Sequence, residues 1–336
     1  LSCRKSPMRS ATVPLTQRPW WPWARRGAAL VFLLAVAALL VRQGRTIDWS
    51  AVLDAVGDLP VRVVLAATAV AACSHAIYSS YDLLGRHLTH HTLGTGTVMG
   101  VTFISYAFNL NLGSMVGGIG FRFRLYSRLG LKAQDITRIV GFSLLTNWTG
   151  YLLAAGIAFL FWPPALPPDW KLDSGGLRIV GGIALAIAAS YVLFCAWAHE
   201  RSWDVRGHRI EPPRVRMALL QLLISGVNWS LVGAVIWVLL QGAVAYPHVL
   251  AVLLTSAVAT LIVRIPGGLG VLETVFVALL SYRIAQDRLL AALLAYRAIY
   301  YLLPLMLATV AYAVTEMRAR RLRVGRAKAD DQTRYV

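Results

Sequence analysis

The chain has 336 residues, of which 57% are hydrophobic and only 14% are charged. Soluble domains carry about 25% charged and about 45–50% apolar residues, so the composition excludes a soluble enzyme, a disordered tail and a fibre. Basic residues outnumber acidic ones by 33 to 15, which in a soluble protein would indicate nucleic-acid binding. Here they lie between apolar runs. We therefore interpret them as cytoplasmic loops against an anionic leaflet and expect no nucleic-acid partner.

Apolar runs occupy most of the chain. Six are long enough to be predicted as full transmembrane helices, which need about 20 residues each: 24–42, 60–82, 136–162, 177–198, 217–242 and 289–314. Three are shorter: 97–112, 248–263 and 267–282. The short runs adjoin glycine clusters, and glycine or proline at membrane depth often marks a broken helix. We therefore predict re-entrant helical hairpins at 97–121 and 248–282.

The two glycine clusters share a spacing. Gly117 and Gly118 recur 150 positions later as Gly267 and Gly268. The same offset relates Tyr151 to Tyr301 and, roughly, the run 24–42 to the run 177–198. The spacing predicts two repeats, about 24–165 and 175–316, within a transmembrane domain of 24–316. Basic tails at 1–23 and 317–336 flank that domain.

The loop charges predict the topology. Residues 1–26 carry six basic side chains and no acidic one, and the loop 199–216 carries five arginines; both are placed in the cytoplasm, as is the basic C-terminal tail. Segment 122–138 has five basic residues and one acidic residue, so it also belongs inside. A single crossing at 97–112 would put this segment outside, whereas a hairpin keeps it inside.

The resulting fold class is an all-α polytopic membrane protein with about six full transmembrane helices and two hairpins, roughly eight segments in all. Each half crosses the membrane three times, an odd number, so the second repeat is inverted relative to the first. Inverted repeats with broken helices are typical of transporters, whose site lies near the midplane. An alternative counts 267–282 as a short full span, which breaks the symmetry between the halves. Both termini are predicted to be cytoplasmic.

Three charges fall at membrane depth: Arg264, Glu273 and Arg297. Such charges are expensive in a bilayer and indicate function by default. One interpretation is a structural arginine–glutamate pair that holds the second hairpin. The other is a site in which an arginine binds phosphate and Glu273 exchanges a proton or pairs with an amine of the substrate.

The first hairpin offers a second candidate site. Arg122 and Arg124 follow the GGxG turn of residues 117–120, and glycine-rich turns with arginines suit phosphate. We therefore consider Arg122, Arg124 and both glycine pairs as candidate lipid-headgroup ligands, with positive-inside anchoring as the alternative for the arginines. Asp82 and Arg86 are interpreted as a structural pair at i,i+4. No catalytic residue, metal site or cofactor is predicted, since no nucleotide, hydrolase or metal motif is present.

Two segments resemble the transmembrane region of lysylphosphatidylglycerol synthases, a family of flippase-like membrane proteins: 117–130 (GGIGFRFRLYSRLG) and 264–273 (RIPGGLGVLE). The resemblance covers about residues 25–316. Many members carry a proline before the first glycine block, where this chain has Met115 and Val116. In the family's synthases a membrane domain of this kind flips the lysylated lipid and a separate soluble domain attaches lysine. This chain ends about 20 residues after its last predicted helix, so the resemblance implies translocation without aminoacyl transfer.

The sequence thus predicts an inner-membrane protein that moves a lipid or amphiphile between leaflets, with an anionic or aminoacylated phospholipid as the expected substrate. Membrane phospholipids are its expected partners, and a second copy of the chain and lipid-synthesis enzymes are the protein partners considered. We expect no enzymatic activity. The alternatives are a membrane-embedded transferase for lipid headgroups and a non-transporting partner of a lipid-synthesis complex.

Overall fold

The structure is a computed structural model that describes residues 49–167, 173–198, 203–205, 208–210, 213–263 and 270–332, with the helical residues 31, 34, 38, 41 and 45. The chain divides into two units, Leu1–Ile47 and Asp48–Val336. All labelled elements lie in the second unit. The predicted basic tail 1–23 lies wholly outside the described residues, and the predicted run 24–42 lies mostly outside them.

The second unit is built from helices joined by short turns. In chain order they are α1 (Trp49–Gly57), α2 (Val61–Ser79), α3 (Tyr81–Thr89), α4 (Thr95–Leu112), the π-helix π1 (Ser114–Gly120), α5 (Phe121–Arg128), α6 (Ala133–Phe161), α7 (Ser174–Ala198), α8 (Val215–Leu239), α9 (Tyr246–Val263), α10 (Val271–Leu280), α11 (Gln286–Tyr296), the π-helix π2 (Arg297–Leu302) and α12 (Leu303–Gln332). One short antiparallel hairpin, β1 (Trp203–Val205) with β2 (His208–Ile210), interrupts the predicted all-α pattern. It lies within the loop 199–216, for which no strand was predicted.

Five stretches of the described chain are long and apolar enough to cross a membrane: Val61–Thr89, Ala133–Phe161, Ser174–Ala198, Val215–Leu239 and Gln286–Met317. They coincide with five of the six long apolar runs, which confirms those runs as helices of spanning length. Apolar side chains on α7 remain outward-facing, with Ile179, Ile183 and Ile187 at least half exposed. These residues recur every four positions and so form one apolar face, which suits contact with lipid rather than water.

The chain reverses between α4 and α5. The helix α4 ends at Leu112, and Gly113 adopts a φ of 82°, a left-handed value that glycine tolerates without strain. A Cβ at Gly117 would lie 2.3 Å from main-chain atoms of Phe108, so only glycine permits this approach. The rings of Phe108 and Phe121 stack with centroids 4.0 Å apart. The glycine cluster therefore breaks the helix and lets α5 pack back on α4.

A second break separates α9 from α10, which also pack against each other. Residues 264–269 between them lie outside the described part of the chain. Gly270 precedes α10 with a φ of 80°. The ten residues of α10 span about 15 Å at 1.5 Å per residue, half of the roughly 30 Å hydrocarbon core.

The helix α8 packs against α2, α6 and α9 and carries buried polar side chains on one face. Gln221 donates to the Thr146 hydroxyl at 2.8 Å and accepts from Tyr191 at 2.6 Å. Ser225 donates to the main-chain oxygen of Asn147 at 3.2 Å. These bonds satisfy polar groups that would otherwise be costly in an apolar core. They fix α8 against α6 and α7.

Candidate functional site

A cavity of about 200 Å³ lies among α4, α6, α8, α9, α10 and the junction of α11 with π2. Apolar residues form part of its wall, and the remainder consists of aromatic, hydroxyl and amide side chains: Tyr106, Tyr296, Tyr300, Tyr301, Trp229, Asn147, Asn228, Ser256 and Thr260. None of the described lining residues is Lys, Arg, Asp, Glu, His or Cys. The cavity therefore offers hydrogen bonds without formal charge.

Tyr300 is the centre of a hydrogen-bonded chain beside this cavity. Ser74 donates its only proton to Asn228 at 2.8 Å, and the Tyr300 hydroxyl lies 2.8 Å from Ser74. Because a serine hydroxyl has one proton, Tyr300 must donate to Ser74. The proton of Tyr300 is then used, so Tyr106, 3.1 Å away, donates to Tyr300. The chain runs from Tyr106 through Tyr300 and Ser74 to Asn228 and joins α4, π2, α2 and α8.

The π-helix π2 explains why three tyrosines of one helix reach the same cavity. In an α-helix, residues at i and i+4 share a face, whereas a π-turn bonds i to i+5. Tyr296 and Tyr300 stack with ring centroids 5.4 Å apart, and Tyr301 meets Tyr296 edge-on at 5.6 Å. The wider turn thus lets positions i, i+4 and i+5 line one wall.

Glu273 and Arg297 form an ion pair at the edge of the cavity. Arg297 donates from Nη2 to Glu273 Oε2 at 2.9 Å, and its Nε contacts Oε1. The side chains are only 17% and 13% exposed. Leu272, next to the glutamate, lines the cavity, and the guanidinium carbon lies 5.7 Å from the ring centre of Tyr301. Glu273 is in the first turn of α10, where the helix dipole favours a negative charge.

Arg122 lies apart from the Glu273–Arg297 pair and is bound to a carboxylate of α3. Its Nε and Nη2 donate to the two carboxylate oxygens of Asp82 at 2.9 and 3.1 Å, and Tyr126 donates to the same carboxylate at 3.0 Å. The interpretation of Asp82 and Arg86 as a pair is therefore wrong. Arg86 instead donates to Thr95 and to the main-chain oxygen of Leu93.

Arg124 faces the last helix. Its Nε donates to the Tyr312 hydroxyl, and its Nη2 lies 3.9 Å from Glu316. Arg128, one turn further along α5, also pairs with Glu316. The arginines of the first hairpin thus join α5 to α3 and α12, and each has protein partners.

The structure brings Glu273 and Arg297 together beside the cavity, whereas Arg122 and Arg124 lie apart from them on α5. Gly117 and Gly118 are buried against α4, where a Cβ on Gly118 would meet the Asn109 side chain at 3.0 Å. Arg264, Gly267 and Gly268 lie outside the described residues. Within the described chain no group of three or more His, Cys, Asp or Glu residues could hold a metal ion.

Sequence reasoning missed Ser74, Tyr106 and Tyr300 as a connected group, and Asp82 as the partner of Arg122. One signal was available: the segment 296–301 (YRAIYY) places three tyrosines and an arginine within an apolar run. Aromatic hydroxyls concentrated in this way at membrane depth need hydrogen-bond partners. The contribution of Ser74 carries no such signal, because an isolated serine is common in transmembrane helices.

Comparison with known proteins identifies the family. Residues 27–308 match the family model described as lysylphosphatidylglycerol synthase TM region. The chain belongs to this family. The inner membrane protein YbhN of Escherichia coli K12 is 46% identical over 306 residues, covering 91% of this chain and 96% of that protein. An uncharacterized protein of Synechocystis, slr0712, is 30% identical over 306 residues, covering 87% and 91%.

A more distant relative within the lysylphosphatidylglycerol synthase family is larger. The phosphatidylglycerol lysyltransferase of Staphylococcus aureus (strain MRSA252) is 24% identical over 246 residues, which are 70% of this chain and 27% of that protein. The family match and the five apolar helices of spanning length together show a polytopic helical membrane protein.

Proposed function

We propose that this family member moves a membrane lipid or a similar amphiphile from one leaflet of the inner membrane to the other. The hydroxyl- and amide-lined cavity carries the proposal, because three stretches of spanning length, Ala133–Phe161, Val215–Leu239 and Gln286–Met317, form part of its wall. A polar headgroup cannot cross about 30 Å of hydrocarbon without partners for its hydrogen bonds. Tyrosine, asparagine, serine and threonine side chains supply such partners part-way along the path. An anionic or aminoacylated phospholipid is the proposed substrate, and membrane phospholipids are the proposed partners.

The proposed architecture is a pair of inverted repeats with six crossings, two re-entrant hairpins and cytoplasmic termini. The helix bounds support it. Thr95–Leu112 and Tyr246–Val263 begin 151 positions apart and have equal lengths of 18 residues. The returning helices begin at Phe121 and Val271, 150 positions apart. The cavity is lined from both halves by α4 and α9, as expected for a site between repeats.

In the proposed mechanism the hairpins move so that the cavity faces one leaflet and then the other. Arg297 exchanges Glu273 for the phosphate of the lipid, and Glu273 takes up a proton or pairs with a substrate amine. Arg264 would add a second cation from the turn before α10. Arg124 would exchange its contacts with Tyr312 and Glu316 for an anionic headgroup, whereas Arg122 holds α5 on α3 through Asp82. The alternating exposure of a single site is the general transporter scheme.

A transporter is favoured over an enzyme because the described cavity lining contains no Asp, Glu, His, Lys or Cys, and the protons of its Tyr106 and Tyr300 hydroxyls are already used in the hydrogen-bonded chain. Headgroup transfer needs a proton donor or acceptor within hydrogen-bond reach of the reacting group. The Glu273 carboxylate, at the cavity edge, is already bound to Arg297. A non-transporting partner of a lipid-synthesis complex would need neither the cavity nor the ion pair.

The experiment is lipid translocation in proteoliposomes of phosphatidylethanolamine and phosphatidylglycerol with a trace of fluorescent phosphatidylglycerol. A membrane-impermeant quencher reports the labelled lipid that reaches the outer leaflet, and mass spectrometry reports any change of headgroup. Wild type is expected to accelerate translocation without altering the lipid. Headgroup conversion would favour the transferase, and absence of both effects would favour the partner protein.

Tyr300→Phe provides the matched test of the cavity. The change removes one hydroxyl that bonds to Ser74 and Tyr106, so the fold is kept and translocation is expected to fall. Tyr191→Phe is the control, because that hydroxyl bonds to Gln221 and does not line the cavity. Equal rates for the two variants would contradict a role for the cavity in translocation.

A further inference from the structure

A second cavity, a groove, opens on the surface of the helix bundle. This groove, of about 440 Å³, is formed by α2, α4 and the junction of π2 with α12. Its lining includes small residues of α2, Gly100 and Phe103 of α4, and Leu303 and Leu307 of α12. Leu303 and Leu307 are 39% and 56% exposed. The groove therefore faces outward, and α2 and the start of α12 beside it belong to stretches of spanning length, which suits contact with lipid.

One layer of side chains separates the groove from the tyrosine-lined cavity. His75 lines the groove, whereas Tyr106 and Tyr300 line the cavity. The imidazole ring lies 5.1 Å from the ring of Tyr106 and 4.8 Å from that of Tyr300, and its Nε2 is 3.2 Å from the main-chain oxygen of Tyr300. An apolar compartment and a polar compartment thus share one aromatic wall, which matches the two chemical halves of a lipid.

His75 adds an independent sign of a ligand. The residue is only 4% exposed, and its Nδ1 has no hydrogen-bond partner among the described residues. A buried polar atom left unpaired costs free energy, and native proteins rarely keep one without a reason. Nε2 faces a main-chain carbonyl oxygen and therefore carries the ring proton, so Nδ1 of the neutral imidazole can only accept a hydrogen bond. A headgroup hydroxyl or amine held where the two compartments adjoin would supply the missing donor, whereas the ester oxygens of a lipid only accept.

We propose that this groove binds an acyl chain of the transported lipid while the headgroup enters the cavity, and that His75 accepts a hydrogen bond from the headgroup where groove and cavity adjoin. The inference rests on the proposed translocation and specifies where the hydrocarbon part of the substrate lies. An acyl chain fits the small side chains on the α2 side of the groove, because Thr68, Ala72 and Ala76 recur every four residues and leave a continuous shallow channel. A second copy of the chain is the competing occupant.

Photocrosslinking locates the acyl chain directly. The full chain is reconstituted in vesicles of phosphatidylethanolamine and phosphatidylglycerol that contain phosphatidylglycerol with a photoreactive group on one acyl chain. Illumination and peptide mapping are expected to place the label on α2, α4 and the start of α12. Labelling spread evenly over outward-facing helices, including Ile183 and Ile187 of α7, would overturn the proposal.

Gly100→Trp is the blocking variant, because a Cβ at Gly100 meets nothing within 4 Å and the new side chain fills the groove. Gly182→Trp is its matched control: it is also a helical glycine with open space around it, but it lies on α7 away from the groove. The blocking variant is expected to lose groove labelling, and the control is expected to keep it. Ala72→Trp, at another exposed groove position, replaces Gly100→Trp if size-exclusion profiles show that the latter misfolds.

The outcomes separate this inference from the proposed function. If Gly100→Trp abolishes the labelling of the groove, but neither wild type nor any variant translocates lipid, the acyl-chain site is kept and the transporter is rejected. If Gly100→Trp still translocates lipid and the labelling of the groove is unchanged, the transporter is kept and the acyl-chain site is rejected. Crosslinks between two protein chains through the groove, lost in Gly100→Trp, would identify the groove as a subunit interface and would also reject the acyl-chain site.

Discussion

Arg122 and Asp82 face each other edge-on in the core, although 40 positions separate them in the chain. Two nitrogens of the guanidinium meet two oxygens of the carboxylate, and the side chains are 5% and 0% exposed. Ser143 and the main-chain oxygen of Gly118 accept further hydrogen bonds from the same guanidinium. This pair therefore attaches α5 to α3.

Asp82→Asn is expected to destabilise the protein by roughly 3–5 kcal/mol, because removing one member of a buried pair leaves the other charge uncompensated. Thermal unfolding in detergent measures the loss. Asp287→Asn is the control, since Asp287 is exposed in the first turn of α11. The double variant Asp82→Leu/Arg122→Met is expected to recover part of the loss, because apolar replacement of both charges removes the desolvation penalty. Equal stability of Asp82→Asn and Asp287→Asn would contradict this account.

Glu273→Gln tests the second pair. Its side chains retain partial exposure, so water shares in stabilising Arg297 and the loss of stability should be smaller than for Asp82→Asn. We expect a folded protein with strongly reduced translocation, and any pH dependence that proton exchange at Glu273 produces should disappear. Expression level, thermal stability and translocation are measured on the same preparation. A strong drop in folding would identify the pair as structural, and a stable, fully active variant would refute both roles for Glu273.

Gly117→Ala is expected to destabilise the first hairpin by about 1–3 kcal/mol or more, because the added carbon would lie 2.3 Å from main-chain atoms that cannot move aside. Gly141→Ala is the matched control, since a Cβ there meets nothing within 4 Å on an exposed face of α6. Thermal unfolding of both variants measures the difference. A tolerated alanine at position 117 would contradict the close approach of π1 to α4.

Lys132 and the loop 199–216 are expected to be cytoplasmic, because basic residues concentrate there. Single cysteines at positions 132 and 207 are introduced after Cys3, Cys73 and Cys195 have been replaced by serine. In intact cells an impermeant maleimide is expected to leave both unlabelled, and permeabilised cells are expected to show labelling at both. Labelling of position 132 from outside would rule out a cytoplasmic hairpin at 97–121.

The sequence predicts the helices of spanning length well, because length and apolar composition decide that property. It also predicts a break at the glycine cluster 113–120, because glycine at membrane depth often marks a broken helix. The sequence predicts the wrong partner for the Asp82 carboxylate. The i,i+4 neighbour Arg86 can be recognised along the chain, whereas a partner 40 positions away cannot. That choice depends on how α5 folds back, which only tertiary packing determines.

The candidate site was predicted in part. The apolar runs placed Glu273 and Arg297 at membrane depth, and the free-energy cost of a charge there marked both as candidate site residues. The structure pairs them. The hydrogen-bonded chain from Tyr106 to Asn228 was not predicted, because it combines α4, π2, α2 and α8 and none of its members is charged. Neutral polar residues in apolar runs are common, so their meaning appears only when the helices are assembled.

The contacts between α5 and α12 also determine when this part of the fold can form during synthesis. Arg128 precedes Glu316 by 188 positions, and ribosomes add about 5–20 residues per second, so the arginine emerges roughly 10–40 s before its partner. Throughout that interval the first hairpin lacks its attachment to the C-terminal helix. Docking of α5 on α12 is therefore a late event in membrane assembly, and truncated chains that end before Tyr312 should accumulate with α5 held on α3 through Arg122 and Asp82 but without its contacts to α12.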